Sequence, residues 1–331
     1  MKEVELKNKP LSIGQKLTLY LPKESGLLWV LLALCVVAAF LSPAFLNPLN
    51  LTNVLRQVAL FGIVSVGMTF VILTKGIDLS VGSILGVCAV VTALLLTSGV
   101  NVAIVILTVL ALGMLIGAVN GAGITVGQVP PFIMTLGMMV MARGLALTIA
   151  DGQPVALRDA AAKFMWLGRG DFLGLPVPVW IFIFISLVSI FILKFTPYGR
   201  QIYAVGSNAE AARLSGINVG FITFSVYVIS GFLSAVTALI FVSRLTVGEP
   251  TAGMGIELEA IAIAVIGGTS LFGGEGGIIG TIIGAGILAV LANIMNLVGI
   301  SPFTQQIVKG GIIVAAVLYE MKRQRSKSSL S

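Results

Sequence analysis

Gly76-Ile77-Asp78-Leu79 and Gly255-Ile256-Glu257-Leu258 are two short acidic patches that echo each other inside an otherwise apolar chain. Each puts a carboxyl at a break between segments apolar enough for a membrane. Each is followed by a second matching break, Pro131-Phe132 after the first and Pro302-Phe303 after the second. Acids at broken membrane helices, repeated once per half, are the pattern of a transporter with an internal repeat.

The composition agrees. Of 331 residues, 57% are hydrophobic and 10% charged, against about 25% charged in a soluble domain. So few charges cannot solvate a surface, so lipid covers most of it. The expected class is an all-α integral membrane protein. It divides into a tail at 1–26, a transmembrane domain at 27–320 and a basic tail at 321–331. No cleavable leader is expected, because the polar first 26 residues are followed by an apolar run that ends in Ser42-Pro43. The net charge of +7 is read as a positive-inside bias rather than nucleic-acid binding. Cys35 and Cys88 lie in apolar runs and read as packing residues. The chain has no His, which excludes a histidine metal site and a Ser-His-Asp triad. It has no P-loop lysine motif either, and the glycines at 267–268 and 273–277 read as tight turning and close packing. No enzyme, metal or bound cofactor is expected on this chain.

About 20 apolar residues cross a bilayer. Ten spans are expected, at 27–41, 54–73, 80–97, 102–124, 131–149, 178–195, 220–242, 258–271, 278–297 and 303–319, the first and eighth being short. Lys2, Lys7, Lys9, Lys16 and Lys23 in one tail share a face with Lys322, Arg323, Arg325 and Lys327 in the other. Lys75, Lys194, Arg200 and Arg213 lie on that face too, which is assigned to the cytoplasm. The other face holds Arg158, Lys163, Arg169 and Arg244, the first three in a 150–177 loop with Asp151, Asp159 and Asp171. Asp78 then falls inside and Glu257 outside, Pro131 inside and Pro302 outside. Both pairs are offset by an odd number of spans, so spans 2–5 and 7–10 read as inverted copies.

Asp78 is read either as a helix cap or as a polar group of the pathway or gate. Glu257 and Glu259, two apart, point to different faces of a helix, one toward a pore mouth and one toward a partner. Pro131 and Pro302, with Phe132 and Phe303, mark helix starts after a turn. Arg143 and Lys309 are read as snorkelling to outer headgroups. The loop 197–219 is the longest internal one on the cytoplasmic face. Asn208 can cap a short helix over 209–215, Gly216 can end it, and Arg213 can pair with Glu210. Such a helix suits docking into a groove of another protein.

Glu210-Ala211-Ala212 with Gly216 four residues after Ala212 resembles the EAA-x3-G loop of ABC importer permeases, although the I-x-L-P portion of that motif is missing. Further motifs narrow the resemblance to the ribose/xylose/galactose-type permeases of bacterial sugar ABC importers. They are Thr74-Lys75-Gly76-Ile77-Asp78-Leu79-Ser80-Val81-Gly82-Ser83, Leu214-Ser215-Gly216-Ile217-Asn218, Pro250-Thr251-Ala252-Gly253 and Gly267-Gly268-Thr269-Ser270-Leu271 with Gly273-Gly274. Lys75 and Phe272 stand at positions expected to vary. The resemblance implies a vitamin B12-importer-like architecture in the bacterial inner membrane, with both termini cytoplasmic. It implies a second permease subunit, identical or paralogous, an ABC ATPase subunit that holds ATP and Mg, and a periplasmic sugar-binding protein. The coupling segment would be Glu210, Ala211, Ala212, Arg213, Leu214 and Gly216. A polyol in transit needs weak polar contacts, for which Ser80, Ser83, Thr269, Ser270, Asn293 and Asn296 are candidates beside Asp78, Glu257 and Glu259. The substrate stays open between a ribose-like sugar and a nucleoside, an autoinducer-like furanose or an amino acid. A self-sufficient ion-coupled transporter, with Asp78 and Glu257 as ion sites, is the alternative class.

Overall fold

Proline and asparagine start the long helices. In a computed structural model describing residues 25–157 and 162–328, Asn47 Oδ1 accepts from the Leu49 amide, and Asn101 and Asn218 cap later helices in the same way. Pro48, Pro131 and Pro302 each stand at the first helical position, where a missing amide hydrogen is harmless. The helices are α1 (Ser25–Leu41), α2 (Pro48–Leu73), α3 (Val81–Thr97), α4 (Val102–Thr125), α5 (Pro131–Ile149), α6 (Ala162–Arg169) and α7 (Val177–Phe195). There follow α8 (Pro197–Ser207), α9 (Ala209–Leu214), α10 (Val219–Leu245), α11 (Ile256–Ile266), α12 (Ile278–Leu297) and α13 (Pro302–Ser328). Two-residue strands β1 (Val155–Ala156), β2 (Asp171–Phe172), β3 (Leu175–Pro176) and β4 (Val247–Gly248) tie the 150–177 segment down, β1 to β4 and β2 to β3, both antiparallel.

Six helices, α2, α4, α5, α7, α10 and α12, are long and apolar enough to cross a membrane. Shorter apolar helices lie at Ser25–Leu41, Val81–Thr97 and Pro302–Leu318. The expected span at 258–271 is corrected. Its helix, α11, has 11 residues and stops at Ile266, so it rises only about 16 Å. Glycine causes the early stop, since Gly268, Gly273, Gly274 and Gly276 all take positive φ before α12 begins. The expected 54–73 span begins earlier, at Pro48, and the last helix runs past 319 into the basic tail. The tail lysines before residue 25, with Arg158 and Asp159, lie outside the described residues.

The packing has a pattern. α4 packs along α10 as α12 packs along α2, and α3 meets α10 as α11 meets α2. Likewise α3 touches α4 and α5, and α11 touches α12 and α13. α2 and α10 are mutual neighbours at the centre. Glycine sets the closest approaches. A Cβ at Gly113 would lie 2.5 Å from the Gly231 carbonyl oxygen, and one at Gly267 would lie 2.5 Å from the Gly280 backbone. Lipid tails give no hydrophobic drive between helices, so such backbone-to-backbone packing is what holds them together. The outward faces of α5 and α7 show Phe132, Val140, Phe184 and Phe191, each more than half exposed.

Candidate functional site

The 197–219 segment is two helices, and the first of them was not expected. Thr196 Oγ1 caps α8, accepting from the Gly199 amide at 3.2 Å. Asn208 then caps α9, accepting from the Ala211 amide at 3.0 Å. α9 ends at Leu214, where Gly216 turns the chain with φ +82°. Its outer face holds the Glu210–Arg213 pair, bidentate at 2.6 and 3.1 Å, beside Leu214 at 76% exposure. The guanidinium holds the Glu210 carboxyl below the ordinary carboxylate range. Ala212 alone in α9 faces inward and is buried.

α8 fastens this surface to the bundle at two places. The Gly274 amide, in the α11–α12 loop, donates to the carbonyl of Leu73, the last residue of α2, at 3.0 Å. Gly206 of α8 lies against both. A Cβ there would overlap the Leu73 oxygen and sit 2.6 Å from the Gly274 nitrogen. Around this joint, Lys75 Nζ donates to the Ser207 carbonyl at 3.2 Å and Tyr203 Oη to the Gly276 carbonyl at 2.9 Å. Thr269 and Ser270 lie buried in the same α11–α12 loop, where the Ser270 amide donates to the Glu275 carbonyl at 2.9 Å.

Asp78 and Ser80 are wholly buried in the α2–α3 break, and Ser83 is buried in the first turn of α3. The Ser80 amide and hydroxyl donate to Oδ1 at 3.0 and 2.6 Å, and the Ser230 hydroxyl of α10 donates to Oδ2 at 2.7 Å. Asn120 of α4 donates to Ser80 Oγ at 2.8 Å. The helix-cap expectation is therefore corrected. Asp78 turns the backbone toward Ser80, which itself precedes the helix without a side-chain cap. The carboxyl ties its own break to α10, and Ser80 extends the network to α4. Asn120 and Ser230 sit mid-helix, where the sequence offered no sign of them.

The second acidic patch is built differently. Gly255, with φ +84°, precedes α11, and Glu257 Oε1 accepts from its amide at 3.2 Å. The snorkelling reading of Arg143 and Lys309 is corrected, because both turn inward. Arg143 donates to the carbonyls of Pro250 at 2.5 Å and Ala252 at 2.9 Å, where the loop leaves backbone oxygens unpaired. Lys309 of α13 pairs with Glu259. Glu257 and Glu259 thus serve different neighbours, as their two-residue spacing requires.

Glu259, Asn293 and Asn296 line one cavity of about 500 Å³, together with Asn50, Asn53 and Gln57 of α2. Asn50 and Asn293 exchange two amide hydrogen bonds, at 3.0 and 2.8 Å. The expected pathway set therefore separates. Asp78 and Ser80 form an internal node, Thr269 and Ser270 lie in the loop at the α8 joint, and Glu259, Asn293 and Asn296 line this cavity. The three α2 amides were overlooked, although their spacing of three and four already marked one helix face.

A family described as branched-chain amino acid transport system / permease component matches residues 50–317. The chain is 46% identical over 303 residues to the ribose import permease protein of Escherichia coli, covering 91% of this chain and 94% of that one. It is 45% identical over 293 residues to the ribose import permease protein of Bacillus subtilis, covering 88% and 91%. It is also 36% identical over 342 aligned positions to the xylose transport system permease protein of Escherichia coli, covering 85% and 87%. No solved structure matches.

Proposed function

The chain belongs to the branched-chain amino acid transport system / permease component family, and from that premise we propose that it forms the membrane pathway of an ABC importer for a pentose such as ribose. Its nearly full-length likeness to two ribose permeases and a xylose permease supports the substrate class. A separate ATPase holds ATP and Mg and docks on α9. A binding protein delivers the sugar from the periplasm, and a second permease subunit completes the pore. The observation that carries the reading is the exposed, capped α9, which presents Leu214 and the Glu210–Arg213 pair outward.

The mechanism is alternating access. Nucleotide-driven closure of the ATPases moves α9, α8 moves with it, and the bundle reopens toward the other face. Ten membrane segments follow if α11 with its glycine loop counts as one broken crossing. Both termini and α9 are then cytoplasmic, while Glu257 and the 150–177 segment are periplasmic. The matched pairings of α2–α5 with α10–α13 support an inverted repeat of the B12-importer kind.

The test is reconstitution in proteoliposomes with ATPase and binding protein. ATP-dependent accumulation of D-ribose is expected, and it should fall when Glu210 or Gly216 is replaced while membrane insertion is unchanged. Accumulation by this chain alone, driven by a proton gradient without ATP, would assign it to ion-coupled transport instead.

A further inference from the structure

We propose that each permease subunit carries its own polyol-binding subsite, the α2–α12 cavity, distinct from a pathway formed between subunits. The inference rests on the importer reading above and names where the sugar is held on the way. The cavity's volume, about 500 Å³, lies within the range of small-molecule sites, about 300–1,000 Å³. That leaves room for a pentose and some water.

The lining suits a neutral polyhydroxylated solute. Asn53 and Gln57 stand one turn apart on α2 and make no side-chain hydrogen bond among the described residues. Each offers an amide donor and an amide acceptor, as a sugar hydroxyl does. The other amides are held by protein: Asn50 and Asn293 by each other, and Asn296 Oδ1 by the Gln305 amide at 2.8 Å. Two fixed amide pairs thus frame two free ones. Glu259 is balanced by Lys309 and so presents no net charge. Phe61 and Phe241, one turn beyond the polar stripe on α2 and on α10, add apolar surface for the carbon face of a ring. Arg244 is the cation on this lining. It adds donors, and it makes a phosphorylated sugar the competitor to test.

In the proposed orientation, Asn50, Asn293, Arg244 and the start of α11 all lie in the outer half. The subsite therefore fills from the binding-protein side.

The experiment labels a cysteine in the cavity. Met254→Cys, at a lining residue that offers the sugar no polar group, is introduced with Cys35→Ser, and the assembled importer is reconstituted in nanodiscs. Buried Cys88 is left in place. Labelling by a membrane-impermeant methanethiosulfonate is followed with D-ribose, glycerol or ribose 5-phosphate present. Ribose at about ten times its dissociation constant should slow labelling roughly tenfold, because only the empty fraction reacts. Glycerol should not, and adding Gln57→Leu should remove the protection but keep the labelling. Labelling that ribose does not slow overturns the proposal. So does absence of labelling at both Met254→Cys and a second lining site, Leu60→Cys, in folded protein. Stronger protection by ribose 5-phosphate than by ribose overturns the neutral-solute assignment. ATP-driven ribose flux through the wild-type importer is measured in parallel. If flux is present and protection absent, the subsite falls and the importer stands. If flux is absent, the importer reading falls, whatever the labelling shows.

Discussion

Replacing Gly206 by Ala tests how motion at α9 reaches the membrane segments. The new Cβ would overlap the Leu73 carbonyl oxygen and lie 2.6 Å from the Gly274 nitrogen. Comfortable contact needs about 3.5 Å, so α8 must withdraw by roughly 2 Å, the Leu73 oxygen setting the shift. Neither blocking atom is the end of a flexible side chain, and both are backbone at the ends of other elements. Withdrawal lengthens the Lys75–Ser207 and Tyr203–Gly276 hydrogen bonds that hold α8 to the joint, and each one lost removes about 0.5–1.5 kcal/mol net. Overpacking adds about 1–3 kcal/mol. Were that strain felt only when the joint closes, coupling would weaken by the same 1–3 kcal/mol, or about 5–150-fold. The assay is sugar transport per ATP hydrolysed in proteoliposomes, with insertion and thermal stability measured beside it. The expected result is normal insertion, basal ATP hydrolysis retained, and transport reduced at least about fivefold. Gly206→Ala protein that transports at the wild-type ratio would refute the joint.

Asp78→Ala should lower the thermal midpoint more than Ser230→Ala, because it strands three donors where the serine change removes one. The two losses should be non-additive in a double-mutant cycle, read by fluorescence-monitored unfolding. Gly231→Leu should prevent stable folding, since even a methyl there meets the Gly113 backbone; size-exclusion behaviour after extraction is the check. For Glu210, whose carboxyl is depressed by Arg213, the sign is set by linkage. The pair's contribution is present above the unfolded carboxylate range and is lost as pH falls through the lower folded value. Carbon-13 titration of Glu210 should place its midpoint below that of an Arg213→Gln variant. Arg143→Met should free the 250–252 loop and raise its protease sensitivity, having removed the donor to two carbonyls.

Much of this was legible in the chain. Pro131 and Pro302 fix helix starts locally, and Asn208 with Gly216 fixes both ends of α9. The breaks at Asp78 and Glu257 stand at the starts of α3 and α11, the helices that meet α10 and α2 respectively. The misses involve partners far apart in sequence. Nothing near Asp78 points to Asn120 or Ser230, because hydroxyls and amides within apolar helices carry no direction in sequence. Arg143 and Lys309 look alike as lone intramembrane cations, and only the fold supplies carbonyls to one and a carboxylate to the other. The overlooked α8 is amphipathic, but Gly199 and Gly206 weaken its helical signature. Their reason is close packing, since the backbones of α7 and α2 lie against them.

The carbonyl of Leu73 ends a helix of the first half and is bonded by an amide from the second, with α8 pressed on both. It works as a yoke. In the proposed importer, a displacement delivered at the surface reaches both halves at this backbone contact, with Lys75 and Tyr203 fastening α8 against it. On that reading, substitution elsewhere on α8 retunes the grip of the ATPase, while Gly206 sets how closely α8 bears on both halves.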